Sequence, residues 1–167
     1  MTSGTEVISA PGPLLDSHDL APFRCGVASL DDWLIKRARA NQVAGASRSY
    51  VIAIGDRVIG YYCLSSGGIA AIAAPGKIRR NMPDPVPMAV LGRLAIDNGW
   101  QGKGIGVALL KDAVLRTVQA AGILGIRGLL VHAISGEAKA FYEHHGFTPS
   151  PSNEMTLVLS LKGLGSA

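Results

Sequence analysis

The sequence has few cysteines and no long uninterrupted apolar run, and both absences narrow the classes of protein it can encode. Cys25 and Cys63 are its two cysteines. They stand far apart and form no C-x-x-C pair, so we expect reduced thiols rather than a disulfide or a metal site. No stretch of about 18 apolar residues lacks a charge, which argues against a transmembrane helix. The opening residues MTSGTEVISAPGP lack the charged-then-apolar order of a secretory signal, and we therefore expect a cytoplasmic protein.

The composition predicts one domain that spans residues 1–167. A chain of 167 residues with 48% hydrophobic content can bury a full core. Sixteen Lys and Arg against 12 acidic residues give a net charge of +4, a moderate preference for polyanionic partners. The basic residues form two clusters, for each of which a solvated face is the alternative interpretation. The clusters are Lys36, Arg37 and Arg39, and Lys77, Arg79 and Arg80.

A strand followed by a helix is predicted in the middle of the chain. Residues 87–97 alternate in side-chain character with a period of two, which is typical of a strand. Asp97-Asn98-Gly99 has the composition of a turn. Beyond it, apolar and small residues recur at a spacing of three to four, which predicts an amphipathic helix. These residues are Gly106, Leu109, Leu110, Ala113, Thr117 and Val118.

The turn before this helix, Gln101-Gly102-Lys103-Gly104-Ile105-Gly106, has the composition of an anion-binding site. The first N–H groups of a helix have no intrahelical partner and suit an anionic ligand. Glycine lets that ligand approach the backbone, and Lys103 adds a positive charge. The sequence therefore predicts a pyrophosphate cradle, with a plain turn as the alternative. It is neither a P-loop, which needs glycine at Asp97, nor a dinucleotide fingerprint, which needs glycine at Val107.

The remaining periodicity predicts a mixed α/β (α+β) fold. We expect a helix from Ser29 to about Ala46, capped by the Ser29 hydroxyl, with Trp33 in the core. Strands are predicted near Val7-Ile8 and over 50–54, 58–64, 69–73, 126–133 and 155–161. The proline-rich residues 75–87 form a loop with room for one helical turn. A short helix over residues 137–145 ends at a glycine.

The stretch Leu91–Arg116 resembles the cofactor motif of the GCN5-related N-acetyltransferase (GNAT) superfamily, whose signature is Gln-x-x-Gly-x-Gly. The resemblance implies a mixed central sheet with helices on both faces and a splayed strand pair that holds acetyl-CoA. The turn would bind the pyrophosphate, the strand backbone would pair with the pantetheine, and the next strand and helix would close the other side. The implied cofactor-binding residues are Leu94, Ala95, Ile96, Gln101, Gly102, Lys103, Gly104, Ile105, Gly106, Val107, Ser135 and Ala138.

Tyr142 is the candidate general acid for acetyl transfer. A phenol has an ordinary pKa of about 10 against about 8.5 for a thiol, so it stays protonated until the thiolate leaves. The resemblance implies the same role, because the family commonly uses a tyrosine on this helix. The alternative is a half-buried tyrosine beside Phe141 with a solvated hydroxyl.

No strong general base is evident. Glu137 is explained as a favourable acid in the first turn of the helix, and Glu143 as a residue on its solvated face. A lysine amine would need such a base, whereas an α-amine with a pKa near 8 would not. The sequence therefore favours an α-amino acceptor. His132 is best explained as a histidine in the core or beside the cofactor. A Cys63–His132 nucleophile pair stays open as an alternative, but no nearby residue would activate the Cys63 thiol. Adjacent histidines at the end of the short helix point about 100° apart, so we expect no metal.

Most of residues 14–162 is similar to the acetyltransferase toxins of bacterial type II toxin–antitoxin pairs. The segments that carry the similarity include SLDDWL, LGRLAID, QGKGIG and VHAISGEAKAFYEHHGF. The resemblance implies acetylation of the α-amine of aminoacyl-tRNA, a block of translation, a ribbon-helix-helix antitoxin partner and a homodimer.

The basic clusters would then contact the tRNA backbone, where affinity does not depend on sequence. The predicted RNA-binding residues are Lys36, Arg37, Lys77, Arg79, Arg80 and Arg93. Two other classes stay open. A GNAT enzyme for a small amine or a protein N-terminus would not require the basic surface, and a non-catalytic CoA-binding module would tolerate loss of Tyr142.

Overall fold

The computed structural model describes residues 7–164. The first six residues, which are part of the segment used above to argue against a secretory signal, lie outside that range. Two short 3-10 helices occupy Ala71–Ala73 and Asn98–Trp100. The α-helices are α1 (Ala28–Lys36), α2 (Ala38–Ala44), α3 (Gly76–Arg79), α4 (Ile105–Ala121) and α5 (Gly136–His144). The strands are β1 (Gly12–Pro13), β2 (Arg48–Ile54), β3 (Arg57–Ile69), β4 (Val86–Ile96), β5 (Gly128–His132), β6 (Thr148–Pro149) and β7 (Thr156–Ser160).

The seven strands form a mixed sheet in the order β1-β2-β3-β4-β5-β7-β6. The pairs β1–β2, β2–β3, β5–β7 and β6–β7 are antiparallel. Strands β4 and β5 are parallel, and their paired register ends at Leu91 and Val131. Strand β4 continues to Ile96. The order confirms the predicted α/β (α+β) class with a mixed sheet.

The chain divides into two compact units, and strands β3 and β4 each contribute residues to both. The first unit combines the chain up to Leu64 with Arg93–Ala113, and the second combines Ser65–Gly92 with the chain from Val114 onward. Each unit buries an apolar cluster of its own, as close packing requires. The first cluster includes Leu14, Phe23, Leu34, Val58, Tyr61 and Ala95. The second includes Ile69, Ile78, Val86, Met88, Leu130 and Val158.

The predicted helix from Ser29 to Ala46 is wrong in two respects. It is two helices separated at Arg37, and its N-cap is Val27, which provides no side-chain cap. No proline or glycine stands next to the break at Arg37, so we attribute it to tertiary contacts that override local helical propensity. Nη2 of Arg39 donates to the carbonyls of Leu15, Asp16 and His18 and ties α2 to the preceding loop.

The N-terminal and third predicted strands are also revised. Ile8 forms only an isolated bridge to Ile54, and the first strand lies at Gly12–Pro13 instead. Strand β3 runs on to Ile69, after which the chain turns into a 3-10 helix rather than a strand over 69–73. The Ala71 N–H donates to Oδ1 of Asp84 at 2.9 Å, which turns the chain there. Among residues 7–164, no helix has the length and apolarity needed to cross a bilayer.

Candidate active site

The glycine-rich turn occupies the predicted position immediately before α4. Gly102 and Gly104 adopt positive φ angles of 75° and 81°, a conformation that suits glycine. A Cβ built on either residue meets no other atom within 4 Å. The first turn of the helix closes when Ala108 N–H donates to the Gly104 carbonyl at 3.1 Å. The backbone of the turn is therefore open to a ligand on the side where a side chain would otherwise stand.

The backbone amides of residues 101–107 have no acceptor among residues 7–164. Amides of this kind at a helix start carry the positive end of the helix dipole. A phosphate group would supply the missing acceptors, because each of its oxygens takes several hydrogen bonds. The open amides of the turn are therefore a candidate site for a diphosphate group.

Side chains in the turn divide into exposed and buried members. Nζ of Lys103 lies 5.9 Å from the centroid of the Trp100 ring, in a cation–π contact that places its charge beside the open amides. The Ile105 side chain is buried, and a Cβ on Gly60 would lie 3.1 Å from Ile105 Cγ2. Gly106 and Val107 are half-buried. Residues 105–107 can therefore offer their amides to a ligand, whereas the Ile105 side chain belongs to the core.

Asp97, which we interpreted only as part of a turn, anchors the approach to the site. As a whole residue it is 4% exposed. Oδ2 accepts from Arg24 N–H at 3.1 Å and Oδ1 accepts from Gly99 N–H at 3.0 Å. Nη2 of Arg57 lies 3.7 Å from Oδ1. The Asp-x-Gly spacing signals the local bond, but the partners at Arg24 and Arg57 are distant in sequence and gave no local signal.

Gln101 is exposed, and its carboxamide makes hydrogen bonds to the protein. Its Nε2 donates to the carbonyls of Cys25 and Ile96, both at 2.9 Å, and lies 3.3 Å from Asn98 Oδ1. Both side-chain protons are therefore used, while the backbone amide stays available to a ligand. Leu94 and Ile96 are half-buried at the end of β4, while Ala95 is buried in the first cluster.

Tyr142 lies on α5 in an apolar environment. It is 6% exposed, and its ring makes edge contacts with Phe141 and Phe147, each at 5.3 Å between centroids. Burial raises the pKa of the Tyr142 phenol to about 12, because a phenolate would lose its hydration. Its hydroxyl has no hydrogen-bond partner among residues 7–164. The phenol is thus a protonated and uncommitted donor at neutral pH.

The start of α5 is capped by Ser135, whose Oγ accepts from Ala138 N–H at 3.1 Å. The Ser135 hydroxyl and the Ala138 amide therefore satisfy each other in this structure. The two acids on this helix, Glu137 and Glu143, are both exposed.

The histidines are not arranged as a metal site. Nδ1 of His132 lies 2.9 Å from Oγ1 of Thr156. The rings of His144 and His145 meet edge to face at 5.1 Å. Within the described chain, no group of three or more His, Cys, Asp or Glu could hold a metal ion. Burial raises the pKa of the Cys25 thiol to about 11, so this cysteine is not an activated nucleophile.

The basic residues of the second unit are exposed on a short rigid element. Lys77, Arg79 and Arg80 are exposed, while Ile78 between them is buried. The guanidinium of Arg127 donates to the carbonyls of Ile78 and Lys77, at 3.1 and 3.0 Å. Helix α3 is thereby fixed with its cations directed to solvent.

The basic residues of the first unit differ in how strongly contacts within the protein hold their side chains. Lys36 and Arg37 are exposed, and Lys36 Nζ lies 3.9 Å from Asp32 at the surface. Such exposed pairs hold weakly, so the lysine can exchange partners. The Arg93 guanidinium lies over Trp33, with 4.5 Å from Cζ to the ring centroid. Arg39, tied to the 15–18 loop, is the one member of the predicted clusters whose charge serves internal structure.

The acetyltransferase (GNAT) domain model matches residues 45–149, which include the turn, α4 and Tyr142. The chain belongs to the GNAT family. It is 51% identical over 154 residues to the tRNA-acetylating toxin of Mycobacterium tuberculosis, covering 92% of this chain and 93% of that protein. The GNAT fold and acetyl-CoA-dependent acyltransferase activity predicted from the sequence are thereby confirmed.

Solved structures of GNAT toxins match the whole fold. AtaT in complex with acetyl-methionyl-tRNAfMet has a TM-score of 0.87 at 30% identity, covering 95% of this chain and 97% of that one. A tyrosine-to-phenylalanine mutant of AtaT, bound to the C-terminus of the antitoxin AtaR and to acetyl-CoA, has a TM-score of 0.79 at 29% identity. That match covers 93% of this chain and 94% of the AtaT chain.

Proposed function

We propose that this GNAT enzyme transfers the acetyl group of acetyl-CoA to the α-amine of an aminoacyl-tRNA and thereby blocks translation. The observation that carries the proposal is the row of amides at residues 101–107, which find no acceptor in the described part of the chain. The chain is also 51% identical to a tRNA-acetylating toxin. An acetylated α-amine can no longer act as the nucleophile in peptide-bond formation. The exposed cations at Lys77, Arg79 and Arg80 support a polyanionic acceptor.

The amides of the turn, together with Lys103, would bind the diphosphate of acetyl-CoA. The backbone of Leu94, Ala95 and Ile96 would pair with the pantetheine amides, because a strand end offers both N–H and C=O groups in an extended row. Ser135 and Ala138 would contribute at the start of α5. Gln101 would act through its backbone only, since its side chain is bound to Cys25 and Ile96.

The chemistry requires one proton donor and a neutral amine. The lone pair of the α-nitrogen attacks the thioester carbonyl, the C–S bond breaks, and the departing thiolate takes the phenolic proton of Tyr142. The nitrogen releases its own proton to solvent, and the phenolate is reprotonated from solvent. A phenol with a pKa of about 12 is fully protonated at neutral pH, so its proton is available when the thiolate develops. An α-amine with a pKa near 8 needs no base.

The proposal extends to the partners and setting of the protein. Lys36, Arg37, Lys77, Arg79, Arg80 and Arg93 would contact the RNA. A ribbon-helix-helix antitoxin would neutralise the toxin, which agrees with an AtaT structure that contains the C-terminus of AtaR. We further propose a homodimer in the cytoplasm, with residues 1–167 acting as a single acetyltransferase domain.

Transfer of label from acetyl-CoA to RNA tests this function. The protein is incubated with labelled acetyl-CoA and, in parallel, with total charged tRNA, deacylated tRNA, a peptide with a free N-terminus or spermidine. We expect label only with charged tRNA, on the amino acid, and loss of nearly all transfer in Tyr142→Phe. Equal labelling of the peptide or spermidine would instead indicate a general amine acetyltransferase. Full activity of Tyr142→Phe would remove the phenol from the mechanism.

A further inference from the structure

The amides at residues 101–107, which lack acceptors within residues 7–164, are held in place by two neighbouring side chains. The Asp97 carboxylate and the Gln101 carboxamide flank the turn on its N-terminal side. Both are directed into the first unit, towards the segment Arg24–Gly26 that precedes α1. The backbone amides of the turn make no hydrogen bond to any residue that the structure describes, so these two side chains supply the hydrogen bonds that fix the chain at the start of the turn.

Successive hydrogen bonds join residues 24–26 to residues 97–101, two segments that are distant in sequence. Arg24 N–H donates to Asp97 Oδ2 at 3.1 Å, and Asn98 N–H donates back to the Arg24 carbonyl at 2.7 Å. Nε2 of Gln101 donates to the next carbonyl, that of Cys25, at 2.9 Å. A Cβ on Gly26, which has a φ of 98°, would lie 3.3 Å from Asn98 Oδ1. The two backbones are thus in register and closely packed.

We propose that Asp97 and Gln101 are positioning residues that preset the diphosphate-binding turn against the Arg24–Gly26 segment. This inference rests on the proposed function, because it assigns the turn to acetyl-CoA. We call the hydrogen bonds of Asp97 and Gln101 to the Arg24–Gly26 segment the brace. A turn without the brace would have to order its amides when the ligand binds, and the entropy cost of that ordering weakens binding. The 4% exposure of Asp97 makes its hydrogen bonds strong, since water does not compete for the carboxylate.

The position of the brace predicts which part of acetyl-CoA depends on it for binding. It acts on the turn that binds the diphosphate, so its loss should weaken acetyl-CoA and spare S-acetylpantetheine, which has the thioester but no diphosphate. A general loss of folding would instead weaken both thioesters together. The comparison of two substrates therefore separates positioning from a merely structural role.

The test uses Gln101→Met, which keeps side-chain length and removes the donors. Its matched control is Gln42→Met in the same unit. Nε2 of Gln42 donates to the Leu14 carbonyl, and its Oε1 accepts from Ser49 N–H, both at 3.1 Å. Thermal unfolding of both variants establishes that each is folded. Asp97→Asn, which keeps the shape but removes the charge, provides a second variant of the brace.

We expect the dissociation constant for acetyl-CoA, measured by calorimetry, to rise about tenfold in Gln101→Met and Asp97→Asn and to stay within twofold in Gln42→Met. Turnover of S-acetylpantetheine with charged tRNA should stay within twofold in all three. An unchanged acetyl-CoA constant in Gln101→Met and Asp97→Asn, or an equal loss with both thioesters, would overturn the inference alone. Failure of the wild-type protein to bind acetyl-CoA would overturn the proposed function and this inference together.

Discussion

The Arg93 guanidinium lies over the Trp33 indole, with Cζ 4.5 Å from the ring centroid. The same indole also stacks in parallel on Tyr61, with centroids 6.0 Å apart and planes inclined by 8°. Trp33 is half-buried rather than a full core residue, because one part of it supports the cation. A guanidinium held over an indole ring suits contact with a nucleobase or phosphate of the proposed RNA substrate.

Removal of the ring should weaken RNA use and leave cofactor binding intact. We expect Trp33→Leu to lower kcat/KM for charged tRNA about fivefold, which corresponds to the roughly 1 kcal/mol of a cation–π contact. The dissociation constant for acetyl-CoA should not change. Trp33→Phe keeps an aromatic face and serves as the control. An equal loss in both variants would show that the Arg93–Trp33 contact does not act on the substrate.

Alanine substitution at two glycines with the same backbone conformation separates the effect of backbone strain on stability from a direct effect on acetyl-CoA binding. Gly104 and Gly45 have φ angles of 81° and 78°, and a Cβ added to either residue would meet no atom within 4 Å. Each alanine variant should lose about 1–2 kcal/mol of unfolding free energy, measured by urea denaturation. Only Gly104→Ala should also weaken acetyl-CoA binding. Similar weakening in Gly45→Ala would indicate a general loss of stability instead.

The raised pKa of Tyr142 predicts a stability change at alkaline pH. Burial raises the folded-state pKa to about 12 from an ordinary value of 10, so the folded protein keeps a proton that the unfolded chain loses. Its contribution is complete below pH 10 and declines as the pH rises towards 12, with about 1.4 kcal/mol lost by pH 11. Wild type should therefore lose that much more unfolding free energy than Tyr142→Phe between pH 9 and pH 11. Parallel curves would contradict the burial effect.

Charge reversal on α3 tests the RNA surface. Arg79→Glu combined with Arg80→Glu should reduce acetylation of charged tRNA steeply and lower the salt dependence of RNA binding, by about 0.9 in log–log slope for each phosphate that is no longer neutralised. Acetyl-CoA binding should be unaffected. The control reverses Lys111 and Lys162, which are exposed and outside the predicted RNA set, and so makes the same change in net charge. Equal activity of the two double variants would exclude α3 from the RNA surface.

The features that could be predicted from the sequence are those with local causes. The glycines of the turn, the apolar spacing of α4 and the position of Tyr142 on a short helix each depend on neighbours a few residues away. The brace could not be predicted, because Asp97 bonds to Arg24 across 73 residues. The break at Arg37 was missed for the same reason, since it accompanies the bonds of Arg39 to the 15–18 loop. Tertiary hydrogen bonds override helical propensity and leave no periodic signal.

A crystal structure of the protein with acetyl-CoA tests the central claim most directly, because the proposed acetyl transfer depends on where the thioester is held. We predict that diphosphate oxygens lie at hydrogen-bonding distance from the amides of residues 102–107, with the brace of Asp97 and Gln101 unchanged. A diphosphate bound elsewhere, with these amides still lacking acceptors, would contradict the proposed mode of cofactor binding.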